Sequence, residues 1–334
     1  MSRQNPKRII ISRTDNLGDV ILTLPLAAAL KKIYPQVKII FLGKTYTETI
    51  IKRCRAVDEF ADWDQAKNKS KNEIIDFFQK LQADVIIHVF PDYQIAKFSY
   101  KAGIPMRIGT SHRLYHWIFC NKKVDLPRKK SDLHEAQLNL KLIEPLGGKK
   151  EYSLQEIPAL FEFNDGINSQ KNHAEKFKLI LHPGTKGSAR EWGIVNFKNL
   201  IALLDKDIYE IYITGTEEEG QRFRQAFQGF PNVVDVTGKM NMEAFIAFIF
   251  SCDGIVAAST GPLHIAAAAG KIAIGIYAPM RPIFPMRWAP LGTKASYHVL
   301  PKSCTACQKS GACACIQSIS PLEVKANLEN LRMF

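Results

Sequence analysis

Short apolar runs alternate with amphipathic stretches along most of this chain. The runs are rich in β-branched residues, which is typical of buried parallel strands, and they occupy residues 8–12, 37–42, 84–90, 178–182, 208–214, 254–258 and 272–277. Helical spacing follows several of them, over residues 19–34, 196–204, 241–251 and 263–269. This repeated order of strand, loop and helix predicts a mostly parallel sheet covered by helices on both faces.

The pattern is interrupted between residues 144 and 176, where proline, glycine, asparagine and charged residues are frequent. A chain of 334 residues can bury two ordinary cores. We therefore predict an α/β protein with two doubly wound domains, residues 1–160 and 177–320, joined by a linker over 161–176. Ligands of such sheets bind at the carboxyl ends of the strands, so the cleft between the two domains is the expected active site.

Charge and cysteine content narrow the function and the compartment. The 45 basic and 32 acidic residues leave a net charge of +13, which favours an anionic partner such as a nucleotide, a phosphorylated lipid or a nucleic acid. No apolar stretch reaches the roughly 20 residues of a membrane span, and the polar, basic start has no apolar signal core, so we expect a cytoplasmic protein. Seven cysteines in such a protein predict reduced thiols.

The turn Ser259-Thr-Gly-Pro-Leu-His264 is the strongest local motif, because it joins an apolar strand to an alanine-rich helix. Backbone N–H groups and the helix dipole at such a turn form an anion site, to which the Thr260 hydroxyl can add a hydrogen bond. The alternative is that Ser259 or Thr260 caps the helix, with Pro262 in its first turn. His264 is either a diphosphate donor or a packed histidine.

A second loop, from His182 to Trp192, also follows a predicted strand and carries Lys186 and Arg190 among small residues. Two cations beside a glycine loop suit a leaving diphosphate, whose charge grows as the bond to a sugar breaks. A solvated loop is the alternative. Equivalent positions after parallel strands predict that this loop and the Thr260 turn face the same cleft.

The segment Asp15-Asn-Leu-Gly-Asp19 lies in the loop that follows the first predicted strand. Asp19 can cap the following helix, or it can act as a general base that takes a proton from an acceptor hydroxyl. The loop lacks the glycine spacing of a dinucleotide fingerprint, which argues against a dehydrogenase.

Two further segments leave alternatives open. Cys304, Cys307, Cys313 and Cys315 are compact enough to hold zinc or iron, but the second pair is too closely spaced for a usual site, which favours reduced, packed cysteines. Residues 100–130 mix basic and aromatic side chains, which suits a phosphorylated lipid headgroup, a nucleic acid or a solvated basic face. No recognition helix or RNA-binding signature accompanies them, so we expect no nucleic-acid partner.

In their order and spacing these motifs resemble glycosyltransferase family nine, the lipopolysaccharide heptosyltransferases, over nearly the whole chain. The resemblance implies a GT-B fold with two facing Rossmann-like domains, an N-terminal one for the acceptor and a C-terminal one for the nucleotide sugar. It also implies that a last helix, residues 321–334, packs on the first domain. The matching segments are residues 13–25, 107–109, 134–147, 182–192, 238–240 and 259–277.

The resemblance further implies an inverting, metal-independent transfer from ADP-heptose to an anionic inner-core glycolipid at the inner membrane surface, with no additional cofactor. Asp19 is the implied base. The basic segment adds Arg107 and Arg113 as expected acceptor contacts. The expected donor contacts are Thr185, Lys186, Arg190, Glu218, Met240, Ser259, Thr260, Gly261 and His264.

This sequence departs from the family pattern at two of these positions. Ser259 stands where well-known heptosyltransferases have aspartate, and Arg190 stands where they have lysine. A transferase that uses another nucleotide sugar or a non-lipid acceptor is therefore an alternative. A non-catalytic nucleotide-sugar-binding protein is a third hypothesis, and the presence of Asp19 in its motif argues against it.

Overall fold

The computed structural model describes residues 5–128, 130–163, 176–301 and 313–333. The chain divides into two compact units, Met1–Asn164 and Asp165–Phe334. This boundary falls within the predicted linker 161–176, of which residues 164–175 lie outside the described part. Each unit is built on one six-stranded parallel sheet with helices around it, which confirms the predicted α/β class.

The first unit contains the strands β1 to β6 in the order β3-β2-β1-β4-β5-β6. The strands are β1 (Arg8–Ser12), β2 (Lys38–Gly43), β3 (Glu59–Asp62), β4 (Val85–His88), β5 (Met106–Thr110) and β6 (Lys122–Val124). The helices are α1 (Leu17–Ile21), α2 (Leu24–Ile33), α3 (Glu48–Lys52), α4 (Trp63–Ala66), α5 (Lys71–Lys80), α6 (Tyr93–Lys101), α7 (Leu114–Phe119) and α8 (Glu135–Lys141).

The second unit contains the strands β7 to β12 in the order β12-β11-β10-β7-β8-β9. The strands are β7 (Phe177–His182), β8 (Tyr209–Ile213), β9 (Val233–Asp235), β10 (Gly254–Ala258), β11 (Ile272–Tyr277) and β12 (Ala295–Val299). The helices are α9 (Ile194–Leu203), α10 (Glu217–Phe223), α11 (Met242–Ser251), α12 (Gly261–Ala268), α13 (Pro285–Trp288), α14 (Ala314–Gln317) and α15 (Pro321–Met333).

The two sheets are wound in the same way. In each, the first three strands run outward to one edge and the last three run outward to the other, so the strand order reverses at β1–β4 and at β7–β10. Ligands of open parallel sheets bind outside the carboxyl ends of the strands at such a reversal. The predicted motifs around Asp19, His182 and Thr260 all follow strands that form these reversals.

The predicted helix over 19–34 is two helices, α1 and α2, separated at Leu22 and Thr23. Pro25 lies in the first turn of α2, and a proline further inside one continuous helix would lack a donor and clash with the carbonyl four residues back. The Thr23 hydroxyl donates to the carbonyl of Asp19 at 2.8 Å, which satisfies one of the carbonyls that the break leaves unpaired.

The C-terminal helix α15 belongs to the core of the second unit. Val324 and Leu328 are fully buried there, one turn apart on the helix, and they join a cluster that includes Trp192 and Tyr209. Its buried side chains complete the second core, because its apolar residues recur at the spacing of one helix face. Packing of residues 321–334 on the first domain stays a prediction. None of the helices in the described ranges is long and apolar enough to cross a bilayer.

Shortening Leu328 tests this packing. We expect Leu328→Ala to lower the free energy of unfolding of the second unit by about 2–5 kcal/mol, because it removes a fully buried side chain. Leu322→Ala on the same helix is the matched control; that side chain is 61% exposed, so its effect should stay within about 0.5 kcal/mol. Urea unfolding followed by tryptophan fluorescence measures both, and equal small effects would contradict the packing.

Candidate active site

The carboxyl end of β1 leads directly to a buried arginine surrounded by carboxylates. Arg13 is 3% exposed, and its guanidinium forms ion pairs with Asp15 at 2.6 Å, with Glu135 at 3.1 Å and with Asp19. Asp19 lies in the first turn of α1, but its side chain is directed to Arg13 and caps no helix. The capping role considered for Asp19 is therefore not the one that it has in the structure.

Helix α8 supports this cluster from a distant part of the sequence. Glu135, at its first residue, also pairs with Arg128. Asn139, one turn later, accepts hydrogen bonds from Arg13 at 3.4 Å and from Arg128 at 3.1 Å. The amide of Asn139 donates to the carbonyl of Leu22 at 3.0 Å, in the break between α1 and α2. The cluster is thus tied to the backbone that carries Asp19.

The environment of Asp19 sets its protonation. Burial raises the pKa of Asp19 to about 6, and the charges of Asp15 and Glu135 add to this effect, while the Arg13 guanidinium opposes it. Burial likewise raises the pKa of Asp15. The Asp19 side chain remains 14% exposed, so a substrate proton can reach it. A general base is most effective when its pKa is near the working pH, and a pKa of about 6 lies close to neutral pH.

In the second unit, the two predicted donor loops leave the sheet side by side. Strands β7 and β10 are paired in parallel, with His182 opposite Ala257. The loop that starts at Pro183 and the turn at Ser259-Thr260 therefore begin at the same edge, at the reversal of the strand order. That the two loops face the same cleft stays a prediction.

Thr260 does not use its side chain as a helix cap. It occupies the N-cap position of α12, but its hydroxyl makes no capping hydrogen bond. The oxygen is buried and has no hydrogen-bond partner among the residues that the structure describes. An unsatisfied buried hydroxyl costs about 1–3 kcal/mol, which a ligand oxygen would recover. The anion-binding alternative for this turn is the one that the geometry favours.

The neighbours of Thr260 have distinct environments. Gly261 is the first residue of α12, where the backbone N–H has no partner within the helix. His264 is buried one turn further on. The Ser259 hydroxyl hydrogen-bonds to Tyr277, the last residue of β11.

The loop after β7 is held in place by a buried glutamate. Glu219 accepts hydrogen bonds from the backbone N–H of Lys186 at 3.2 Å and of Thr216 at 2.9 Å. A Cβ atom on Gly184 would lie 2.1 Å from its carboxylate oxygen, so only glycine permits this approach. The Thr185 hydroxyl donates to the carbonyl of Ala189 at 3.0 Å, inside the same loop. The loop is therefore an ordered part of the unit.

The other predicted donor contacts lie around this loop. Arg190 is half-buried within it, while Lys186 is exposed. Glu218 points to solvent on α10, and its neighbour Glu219 is the member of the acidic run that touches the loop. Met240 is half-buried, directly before the N-cap residue of α11.

The two arginines expected to contact the acceptor differ in their surroundings. Arg107 donates to the carbonyl of Phe119 at 2.7 Å and to that of Ile104, and its guanidinium lies over the ring of Tyr100. It therefore fixes the segment between β5 and β6. Arg113 is exposed at the N-cap of α7.

The structure describes two of the four cysteines in the segment 304–315. Cys304 and Cys307 lie outside the described residues, while Cys313 and Cys315 are buried in the second core. Among the residues that are described, no group of three or more His, Cys, Asp or Glu side chains is arranged to hold a metal ion. Reduced, packed cysteines stay the prediction for these four positions, with zinc or iron binding as the alternative.

This sequence matches a known protein family. The family model for glycosyltransferase family 9 (heptosyltransferase) matches residues 74–314. The chain belongs to glycosyltransferase family 9.

Several relatives share this family 9 sequence at low identity. A Haemophilus influenzae protein described in general terms as a glycosyltransferase is 25% identical, over 85% of this chain and 86% of its own. Lipopolysaccharide heptosyltransferase 3 of Escherichia coli is 22% identical, over 81% and 84% of the two chains. Lipopolysaccharide heptosyltransferase 1 of Escherichia coli is 23% identical, over 82% and 89%.

Solved structures of family 9 proteins share the fold. The glycosyl transferase family 9 protein of Veillonella parvula has a TM-score of 0.78 at 20% identity, with 98% of this chain and 97% of that one covered. The E. coli heptosyltransferase WaaC with ADP has a TM-score of 0.74 at 19% identity, with 97% and 99% covered. The predicted GT-B fold is confirmed.

Sequence reasoning missed the supporting residues of this family 9 site. Arg13, Glu135 and Asn139 are buried polar residues around Asp19, and Glu219 supports the loop after β7. Glu135 and Asn139 lie four residues apart among buried Ala136, Leu138 and Leu140, where an apolar side chain would be the default. That spacing was the available signal.

Removing the central guanidinium tests the cluster. We expect Arg13→Met to lower the free energy of unfolding of the first unit by about 3–5 kcal/mol near neutral pH, because it removes the guanidinium that pairs with Asp15 and Asp19, while Glu135 keeps its ion pair with Arg128. The pKa of Asp19 should rise above about 6, since Arg13 is the charge that lowers it. Protonation removes the unpaired charge, so the deficit should shrink as the pH falls below the new pKa.

Urea unfolding as a function of pH measures the stability, and carboxyl carbon NMR measures the pKa. Lys52→Met is the matched control, because its ion pair with Glu48 is exposed on α3 and should contribute less than about 1 kcal/mol. Equal losses in the two variants would contradict the central role of Arg13.

Proposed function

We propose that this family 9 protein is an inverting, metal-independent glycosyltransferase that moves a heptose from ADP-heptose to an inner-core lipopolysaccharide acceptor. The observation that carries the proposal is the Asp19 carboxylate, held by the buried Arg13 and with a pKa raised to about 6. The names of similar proteins, which include two lipopolysaccharide heptosyltransferases and a heptosyltransferase crystallised with ADP, support the choice of donor and acceptor.

In the proposed reaction, Asp19 takes the proton from an acceptor hydroxyl as its oxygen forms a bond to the anomeric carbon of the donor sugar. The bond from that carbon to the diphosphate breaks on the opposite face, and ADP leaves with the electron pair. Inversion needs only a base on one face and charge stabilisation on the other. Arg13 orients the carboxylate through the ion pair and does not itself need to touch substrate.

The donor diphosphate is proposed to bind at the carboxyl edge of β7 and β10. The unpaired Thr260 hydroxyl and the backbone N–H of Gly261 are proposed to bind its phosphate oxygens, with His264 one turn further along α12. Lys186 and Arg190 supply positive charge from the adjacent loop, whose shape Thr185 maintains. Glu218 is assigned to the ribose and Met240 to the adenine side.

On the acceptor side, Arg113 is the exposed cation proposed to meet an anionic group of the glycolipid. Arg107 is assigned mainly to holding the backbone from which Arg113 extends, because its guanidinium donates to backbone carbonyls.

One observation favours a second candidate function. Ser259, beside the proposed diphosphate position, is neutral and bonded to Tyr277, whereas the family resemblance leads one to expect aspartate there. A different donor sugar, nucleotide or acceptor fits this change. The second candidate is therefore a GT-B transferase that uses another nucleotide sugar or a non-lipid acceptor.

The role of Asp19 can be tested by replacing its carboxylate. We expect Asp19→Asn to lower the transfer rate about 10²–10⁴-fold, because the base is lost, while the affinity for ADP stays unchanged. In the parent protein, kcat/KM should rise with pH to a plateau with an apparent pKa near 6, the pH range in which Asp19 loses its proton. Asp76→Asn, at an exposed position of α5, is the matched control. Normal turnover of Asp19→Asn would remove this residue from the mechanism.

The donor site can be tested by calorimetry with ADP, UDP, GDP and CDP, each with and without Mg²⁺. We expect selective binding of ADP that does not depend on Mg²⁺. Preference for another nucleotide would move the function to the second candidate. Binding of none of them would contradict the donor site.

Thr260→Val should weaken ADP binding about five- to tenfold, because it removes one hydrogen bond to a phosphate oxygen. It should not lower the melting temperature of the free protein, since the hydroxyl has no partner in the described structure. If the hydroxyl were purely structural, Thr260→Val would leave ADP binding unchanged and would lower the melting temperature. Thr293→Val, at an exposed position before β12, is the control for both measurements.

A further inference from the structure

Helix α7 in the first unit exposes apolar side chains and buries a polar one. Leu114, Trp117 and Ile118 lie at the spacing of one helix face and are 89%, 61% and 69% exposed. The buried residue of the same helix is His116. A surface helix of a folded domain normally shows the reverse arrangement, with its apolar stripe towards the core.

The orientation of α7 is fixed from below by His116. Its ring nitrogen Nδ1 lies 3.1 Å from the carbonyl of Thr110, and burial lowers the pKa of the imidazole, so the ring is neutral and donates to that carbonyl. The ring packs on Gly109, where a Cβ atom would lie 2.5 Å from Nδ1. The apolar side chains of α7 are therefore held outward by a specific contact.

Aromatic rings and cations continue this surface onto α6. Tyr93 packs against Phe119 at 5.7 Å between ring centroids, and Tyr100 packs against the same ring at 5.8 Å. Lys97 lies over Tyr93, and Lys123 lies over Trp117 at 5.0 Å. We use the term α7 face for the surface formed by Leu114, Trp117, Ile118, Tyr93, Tyr100, Lys97 and Lys123.

Acidic side chains near the α7 face are already engaged. Asp92 caps α6 by accepting the N–H of Ile95 at 2.9 Å. Asp125 pairs with His112 at 2.6 Å. The lysines of the face are thus left to attract an anionic partner.

We propose that the α7 face binds the surface of an anionic lipid bilayer, with Leu114, Trp117 and Ile118 inserted at the level of the headgroups. Tryptophan and tyrosine favour this interface because their rings are apolar and carry one polar group, and lysines beside them attract anionic headgroups. The indole N–H of Trp117 already donates to the carbonyl of Ser111 at 2.9 Å, so insertion of the ring leaves no N–H group without a hydrogen-bond partner. The proposal does not depend on which sugar is transferred, and its test measures lipid binding alone.

Vesicle flotation of the full-length protein tests the proposal. We expect binding to vesicles of phosphatidylethanolamine and phosphatidylglycerol, weaker binding at high salt, and little binding to neutral phosphatidylcholine vesicles. Leu114→Ser with Ile118→Ser should lower the partition coefficient about tenfold or more. Val195→Ser with Leu322→Ser, at two aliphatic side chains that are 70% and 61% exposed in the second unit, is the matched control and should have no effect.

Two further variants separate the apolar and ionic contributions. Lys97→Glu with Lys123→Glu should lower binding to anionic vesicles about tenfold or more and remove its salt dependence. Trp117 emission should shift to shorter wavelength on anionic vesicles, and this shift should disappear in Trp117→Phe while flotation is largely retained.

Several results would overturn the proposal. The first is equal flotation with anionic and neutral vesicles, and the second is no flotation. The third is a dimer in lipid-free solution that Leu114→Ser with Ile118→Ser abolishes, because the partner of the α7 face would then be a second copy of this chain. ADP affinity is measured in every variant. If ADP binds normally but flotation is absent, this proposal fails while the proposed transferase function stands. If the protein floats with anionic vesicles but does not bind ADP, the proposed transferase function fails while this proposal stands.

Discussion

The parallel pairing of two strand pairs, β1 with β4 and β7 with β10, is the constraint on which the candidate site depends. Each pair forms the point where the strand order of its sheet reverses. Parallel strands end at the same edge, and the right-handed crossovers between them carry their helices to opposite faces of the sheet, which opens a crevice at that edge. The segment with Asp19 begins at the reversal of the first sheet, and the loops with Lys186 and Thr260 begin at the reversal of the second. A different register in the second sheet would separate His182 from Ala257 and would move these two loops apart.

The residues at the two reversal points differ in their electrostatics. In the first unit, one buried guanidinium meets three carboxylates, so the attraction to Arg13 does not fully offset the desolvation of Asp19, and its pKa remains raised. In the second unit, the Thr260 hydroxyl at the start of α12 is buried and has no hydrogen-bond partner in the described structure. One arrangement suits the uptake of a proton, and the other suits the binding of an anion.

The α7 face belongs to the same unit as Asp19, and it illustrates how a polar contact can determine an apolar surface. His116 is buried because Gly109 leaves room for its ring, and this places Leu114 and Ile118 outside. In the proposed function the acceptor is a glycolipid, and a bilayer-binding surface on the unit that carries the base would bring the two together. Arg107 also supports this surface, because it donates to the carbonyl of Phe119 at the end of α7.

Local periodicity and the residues at strand ends were enough to predict the α/β class, most strands and the positions of the loops after β7 and β10. Which polar side chains meet depended instead on how the folded chain packs. Pro25 divides the predicted helix 19–34, Glu219 rather than Glu218 reaches the loop after β7, and Arg107 turns to backbone carbonyls. The ion pair of Arg13 with Glu135 joins residues far apart in the chain, and the burial of Val324 and Leu328 places α15 in the second core. Such contacts depend on distances through space, which local patterns do not contain.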